Sequence, residues 1–246
     1  MKKKMFWKIF AGIIAFLLIF AVFFIANSFL GNPLSANIAK SKAQLYINDK
    51  YSHLNLEIKD VGYNLKDGYY FISVSSSTSI DTHFLLSYRA GEIFRDDYAS
   101  SVLSGMNTMD RFCDEYKKRL TPLVQAKTND ITYISVIPEK FTNHKIELDS
   151  AFDTKLVKNV GLSIRCTGGI DAKHFSDILK IAYGVMKENE YVATNFEIAG
   201  EHETVLIELS NIKPTHIESG NLEEILQQAI IRTEYDGITK FSKGQK

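Results

Sequence analysis

Eighteen consecutive residues without a polar side chain, Ile9 to Ala26 (IFAGIIAFLLIFAVFFIA), constrain this chain more than any other stretch. At a rise of about 1.5 Å per residue, a helix of roughly this length crosses the ~30 Å hydrocarbon core of a bilayer. Trp7 stands at one end, where an indole favours the headgroup level. Lys2, Lys3, Lys4 and Lys8 lie on the N-terminal side, and the next basic residue is Lys40. That asymmetry puts the N-terminus in the cytoplasm and everything after Leu30 outside. The expectation is a single-pass protein of the cell membrane, in contact with the lipid bilayer through residues 6–30. Secretory signals carry apolar cores of about 7–15 residues, so an uncleaved signal anchor fits better. Ala26-Asn27-Ser28 keeps cleavage open as the alternative.

Residues 31–246 read as α+β. Asn32 can cap a helix that begins at Pro33 and runs to about Tyr51, with Leu34, Ile38 and Leu45 at helical spacing. Alternation then predicts three antiparallel strands: Leu54–Ile58, Tyr70–Val74 beyond an Asp67-Gly68 turn, and Ile80–Tyr88. A stripe from Tyr98 to Leu123 predicts one long helix, about Asp97 to Ala126, kinked or ended by Pro122. The second half repeats the theme. Strands are expected at Ile131–Ile137, Val160–Cys166, Val192–Ile198 and Val205–Leu209, with helices over Ala172–Glu188 and after Asn221. The end, Lys240 to Lys246, reads as frayed. The domain division is then a tip and transmembrane helix (1–30) and two small antiparallel-sheet-plus-helix subdomains (31–128 and 129–246).

Three stretches, VGYNLKDGYY (Val61–Tyr70), TSIDTHF (Thr78–Phe84) and DDYASSVLSGMNTMDRF (Asp96–Phe112), resemble the YfjL-like family of small Gram-positive membrane-anchored proteins. The element order is also similar to that of PepSY-type extracytoplasmic modules. The first resemblance implies a place and an architecture but brings no catalytic residues with it.

Charge excludes one class of partner. The chain holds 29 Lys+Arg and 29 Asp+Glu, but four lysines and no acid fall in the first thirty residues. The rest is weakly acidic, which is unsuited to nucleic acid.

Ser79, Asp81 and His83 form the most tempting constellation. At i, i+2, i+4 on a strand they would share one polar interaction face opposite Ile80, Thr82 and Phe84. They cannot form a triad, because Ser79 and His83 would stand on the order of 13 Å apart with Asp81 between them. The six histidines (His53, His83, His144, His174, His202, His216) show no local metal-ligand spacing. Gly168-Gly169 before Asp171 reads as a helix cap rather than a phosphate cradle. Cys113 and Cys166 read as buried thiols in separate subdomains. No cofactor is indicated. Two functions fit: a non-enzymatic module of the cell envelope binding a protein or peptide partner, or a hydrolase or peptidase with a site assembled between the subdomains.

Overall fold

The computed structural model describes the backbone of residues 2–138, 146–158 and 160–244, and the side chains of these except 2–6 and 23–30. The first helix, α1 (Lys2–Leu30), is continuous, and its apolar residues go all the way round rather than forming a stripe. Residues 7–22 are exposed throughout. Among the described residues no helix is long and apolar enough to cross a membrane. The expected span over 6–30 is therefore not shown by the fold, and much of it falls outside the described side chains.

The chain divides into two compact units, Met1–Leu103 and Ser104–Lys246. In the first, α2 (Pro33–Lys50) packs on an antiparallel meander of β1 (Leu56–Asn64), β2 (Tyr69–Ser76), β3 (His83–Arg89) and β4 (Glu92–Asp96), in that order. Asn32 caps α2 as expected, its side-chain oxygen accepting from the Leu34 amide at 2.8 Å. The buried face of α2 differs from the expected one. It consists of Ala39, Ala43 and Ile47, while Leu34, Ile38 and Leu45 face solvent. Two alanines one turn apart let the helix axis approach the sheet closely, so the small residues, not the leucines, mark the packed side. They meet Ile72 and Val74 of β2 and Phe84, Leu86 and Tyr88 of β3 in one core. The registers Val74↔Phe84, Ile72↔Leu86 and Tyr70↔Tyr88 place these side chains on a common face.

β4 follows β3 through Ala90-Gly91, both at positive φ (52° and 101°), as a two-residue primed turn requires. After β4 comes a short helical segment, Ala99–Leu103, and α3 (Met106–Gln125) begins after Gly105, which flanks it at φ 75°. The single long helix expected over 97–126 is thus two pieces. Pro122 stays inside the last turn of α3, where the helix ends three residues later, and the Thr121 hydroxyl donates to the Lys117 carbonyl at 2.7 Å.

In the second unit, six strands run in the order β5 (Ile131–Pro138), β6 (Val160–Cys166), β7 (Asn195–His202), β8 (Val205–Ile212), β10 (Ile238–Lys243) and β9 (Glu234–Tyr235). The sheet is mixed, not antiparallel, because β6 and β7 are parallel. The long connection between them carries α4 (Ala172–Glu188), and a crossover of that length is what parallel neighbours need. α3, α4, the short α5 (Pro214–Glu218) and α6 (Leu222–Arg232) supply the helical side of one core with Phe112, Tyr116, Leu120, Phe175, Leu179 and Leu226. β7 passes so close to the start of α4 that a Cβ on Gly200 would stand 2.8 Å from the Phe175 ring and 2.9 Å from the Gly169 carbonyl oxygen.

Two corrections follow. α3 shares its core with the second sheet, so the units meet at 103/104 and not near 128. The stretch read as a frayed end is β10, paired to β8 from Thr239↔Ser210 to Lys243↔Leu206. An Asp236-Gly237 turn, φ 51° and 76°, folds it back; residues 245–246 lie outside the described part.

Candidate functional site

The structure does not set Ser79, Asp81 and His83 on one face. β3 begins only at His83, and residues 77–82 form a bend in which side-chain alternation has no meaning. Asp81 is 1% exposed, His83 is exposed, and Ile80, expected inside, is 67% exposed. The Ser79 hydroxyl closes the bend, donating to Thr82 Oγ1 at 2.7 Å and accepting from the Thr82 amide at 3.1 Å. A polar bend thus replaces the expected polar strand face.

The densest polar cluster of the first unit was not anticipated. Asp96, at the end of β4, receives three donors on Oδ2: Tyr51 OH at 2.6 Å, Tyr46 OH at 2.8 Å and Lys50 Nζ at 2.9 Å. Its Oδ1 accepts from the Tyr98 amide at 2.9 Å. Lys50 also donates to Tyr46 OH at 2.9 Å and lies over the rings of Tyr46 and Tyr51. The Tyr51 ring packs on Phe84 and Tyr98 at 5.5 and 4.7 Å. Burial pushes the Asp96 carboxyl upward, but the hydrogen bonds from Tyr51, Lys50, Tyr98 and Tyr46 outweigh it and hold it below its usual range. Burial, then Asp96, push Tyr51 up to about 12. With four donors on its two oxygens this carboxylate is a fastener between α2 and β4. Tyr46, Lys50 and Tyr51 sit at i, i+4 and i+5, a spacing that hints at one patch; nothing in the sequence points to Asp96 as their partner.

The joint between α1 and α2 is fixed in the same manner. The Asn32 amide donates to Tyr70 OH at 2.7 Å, and that hydroxyl donates to the Asn32 carbonyl at 3.2 Å. Gly31 is buried at φ 72°, and a Cβ there would lie 2.9 Å from the Tyr63 side chain. Gly31→Ala is expected to cost about 1–3 kcal/mol through backbone strain alone, before any clash. Hydrogen exchange will read it as faster exchange of the Ala36 amide, which bonds to the Asn32 carbonyl at 2.8 Å.

In the second unit, the sheet face away from its helices carries mixed chemistry. Tyr133, Ser135 and Ile137 of β5 alternate with buried Ile134 and Val136. Ser163 and Arg165 of β6, Asn195 and Glu197 of β7, Glu208 of β8 and Phe241 of β10 continue the face through the registers Ser135↔Ser163↔Glu197 and Arg165↔Ala199↔Glu208↔Phe241. The Ser163 hydroxyl donates to Glu197 Oε1 at 2.8 Å. Burial, then the Glu197 charge, raise the Glu208 carboxyl above its usual range, with Arg165 opposing. A cleft of about 150 Å³ opens at the β5 side, lined by Ile137, Pro138, Gly161, Ser163, Asn195 and Glu197. Asn195 Oδ1 is buried there with no hydrogen-bond partner among the described residues. An orphaned acceptor beside a carboxylate favours a donor-bearing group, and exposed Tyr133, Ile137 and Phe241 add apolar contact area. The sequence signal is the polar residue at every second position of β6 and β7.

The other motifs resolve as structure. Asp171 caps α4, its side chain accepting from the His174 amide at 2.9 Å, and His174 Nε2 meets the Thr167 carbonyl at 2.7 Å. His216 Nδ1 accepts from the Lys213 amide at the start of α5. His144 lies outside the described residues. No group of three His, Cys, Asp or Glu side chains comes together among the described residues. Cys113 and Cys166 are both free and buried, and they share one core rather than lying in separate subdomains. Burial pushes each thiol up to about 12, which leaves little nucleophilic thiolate.

No curated protein and no solved structure matches the chain. The family model for the YfjL-like N-terminal domain matches residues 3–97, which takes in α1, α2 and the whole first sheet. The resemblance carried by VGYNLKDGYY and TSIDTHF therefore holds over residues 3–97, which are similar to the N-terminal domain of the YfjL-like family.

Proposed function

We propose that this protein is a membrane-anchored, extracytoplasmic interaction module without catalytic activity, tethered by α1 and binding a protein or peptide of the cell envelope. The anchor reading is supported by the run from Ile9 to Ala26 within α1, which carries no polar side chain, and by the lysines of α1 all lying on its N-terminal side. The observation that carries the binding role is the uncovered face of the second sheet. Exposed Tyr133, Ile137 and Phe241 flank a polar centre of Ser163, Arg165, Glu197 and Glu208, so aromatic residues and an arginine, both enriched at protein interfaces, stand beside hydrogen-bonding groups. The cleft beside Asn195 has room for one side chain.

Two measurements in intact cells test the proposal. Protease added to protoplasts is expected to remove a C-terminal epitope while an N-terminal one stays protected. A photo-crosslinking residue at Ile137 or Phe241 is expected to give discrete protein adducts, and one at Lys173, on the outer side of α4, to give none. Survival of the C-terminal epitope until lysis overturns the topology; equal adducts from both faces overturn the binding role of the sheet.

A further inference from the structure

The first unit has two ends, because α2 and every strand of the meander run along one direction. One end holds the start of α2, the β1–β2 turn (residues 65–68) and the β3–β4 turn (residues 90–91). The other holds the end of α2, the Asp96 fastener and the bend at 77–82. With strands of seven or eight residues the ends are about 25 Å apart.

The end where α1 joins is unusual for a set of turns. Leu65 sits 48% exposed at a hairpin tip and Leu34 68% exposed in the first turn of α2. Exposed Phe94 lies edge-on to Tyr69, with the Arg89 guanidinium 4.9 Å over its ring. Lys66 and Arg89 carry long stems beside these groups, while Asp67 is turned back onto Asn64 Nδ2 at 3.1 Å.

We propose that this end of the first unit rests on the bilayer surface, with Leu34 and Leu65 in the headgroup layer of the leaflet that α1 leaves and Lys66 and Arg89 snorkelling beside them. The inference deepens the anchor reading of α1 and depends on it. Chain continuity commits the occupant to lipid. Leu30 lies four residues past Ala26, about 6 Å along the helix, and the headgroup layer is itself about 5–8 Å thick. Gly31 and Asn32 follow directly and are held against Tyr63 and Tyr70, the last pair but one before the β1–β2 turn. The tip that carries Leu65 is therefore fixed within about 10 Å of the point where the chain emerges. It also points opposite to α2, which departs from Asn32 toward Asp96 at the far end.

The test uses the full chain in phosphatidylcholine vesicles containing lipids brominated on the upper acyl carbons. The native Trp7 reports on the anchor. In a Trp7→Phe background, Leu65→Trp and Leu34→Trp report on the near end, and Ile80→Trp, as exposed as Leu34 but at the far end, is the control. The expected result is quenching and a blue shift for Trp7, Leu65→Trp and Leu34→Trp, with Ile80→Trp emitting as in water. Quenching of Trp7 with Leu65→Trp and Leu34→Trp both matching Ile80→Trp overturns this inference and leaves the anchor standing. Equal quenching at all sites also overturns it, and an unquenched Trp7 removes the anchor reading together with it.

Discussion

Replacing Asp96 by alanine is expected to release the C-terminal half of α2 from β4 and cost the first unit about 2–4 kcal/mol. The change removes the acceptor of two tyrosine hydroxyls, an ammonium and the Tyr98 amide at once. The Asp96 side chain is 13% exposed against 50% for Lys50, so the ammonium can regain water while the hydroxyl of Tyr51 regains less. The estimate therefore rests on the hydroxyls and the amide more than on the ion pair. The effect carries a pH signature. The folded carboxyl lies below its usual value of 3.8 and binds its proton less tightly than in the unfolded chain. Its stabilisation is complete above about pH 5 and disappears as the pH falls through the folded value. Hydrogen exchange on the last two turns of α2 and on β4 measures the loss. Asp96→Asn should remove the acid-dependent part while keeping some of the hydrogen bonds. Unchanged protection in Asp96→Ala would show that apolar packing alone holds α2.

Phe112→Ala should cost about 3–5 kcal/mol, the largest loss expected from one residue of α3. The ring is fully buried, packs edge-on to Phe152 at 5.5 Å and lies under the Arg111 guanidinium. Where the cost falls matters as much as its size. Phe112 belongs to the core of the second sheet, so exchange should accelerate in β5 and β6 and stay unchanged in β1–β4. If β1–β4 were the strands to lose protection, the division at residue 103/104 would be wrong and one near 128 restored.

Elements with a clear local signal were legible in the sequence. α4 follows from the spacing of Phe175, Ile178, Leu179, Ala182 and Met186 together with the Asp171 cap. β2 follows from Tyr70, Ile72 and Val74 behind an Asp-Gly turn. Misreadings cluster where a residue's role depends on what it packs against. Leu34, Ile38 and Leu45 mark a helix correctly but not its buried side, because small alanines take the close contact. Ser79 to Thr82 alternate as a strand would, yet their hydroxyl contacts stabilise a bend instead. β4 went unseen because Ala90 occupies a left-handed turn position usually taken by Asn, Asp or Gly. The Asp96 cluster joins residues about fifty positions apart, a distance over which spacing carries no information. The uncovered face of the second sheet needed the register across five strands before its residues could be grouped.

The meander order β1-β2-β3-β4 also bears on how the chain is made. Each strand pairs with its immediate successor, so every strand pairing in the first unit spans a short loop and carries a small entropic penalty. The nascent chain can complete this unit once Leu103 has left the ribosome, with nothing later required. The second unit has no such option. Its β8 waits for β10, the last strand to be synthesised, to cover one edge, and β6 must hold its parallel edge open until α4 and β7 arrive. Synthesis thus runs from a unit that closes as it emerges to one that closes only at the end, and the interval between them is when an unpaired edge is exposed to other chains.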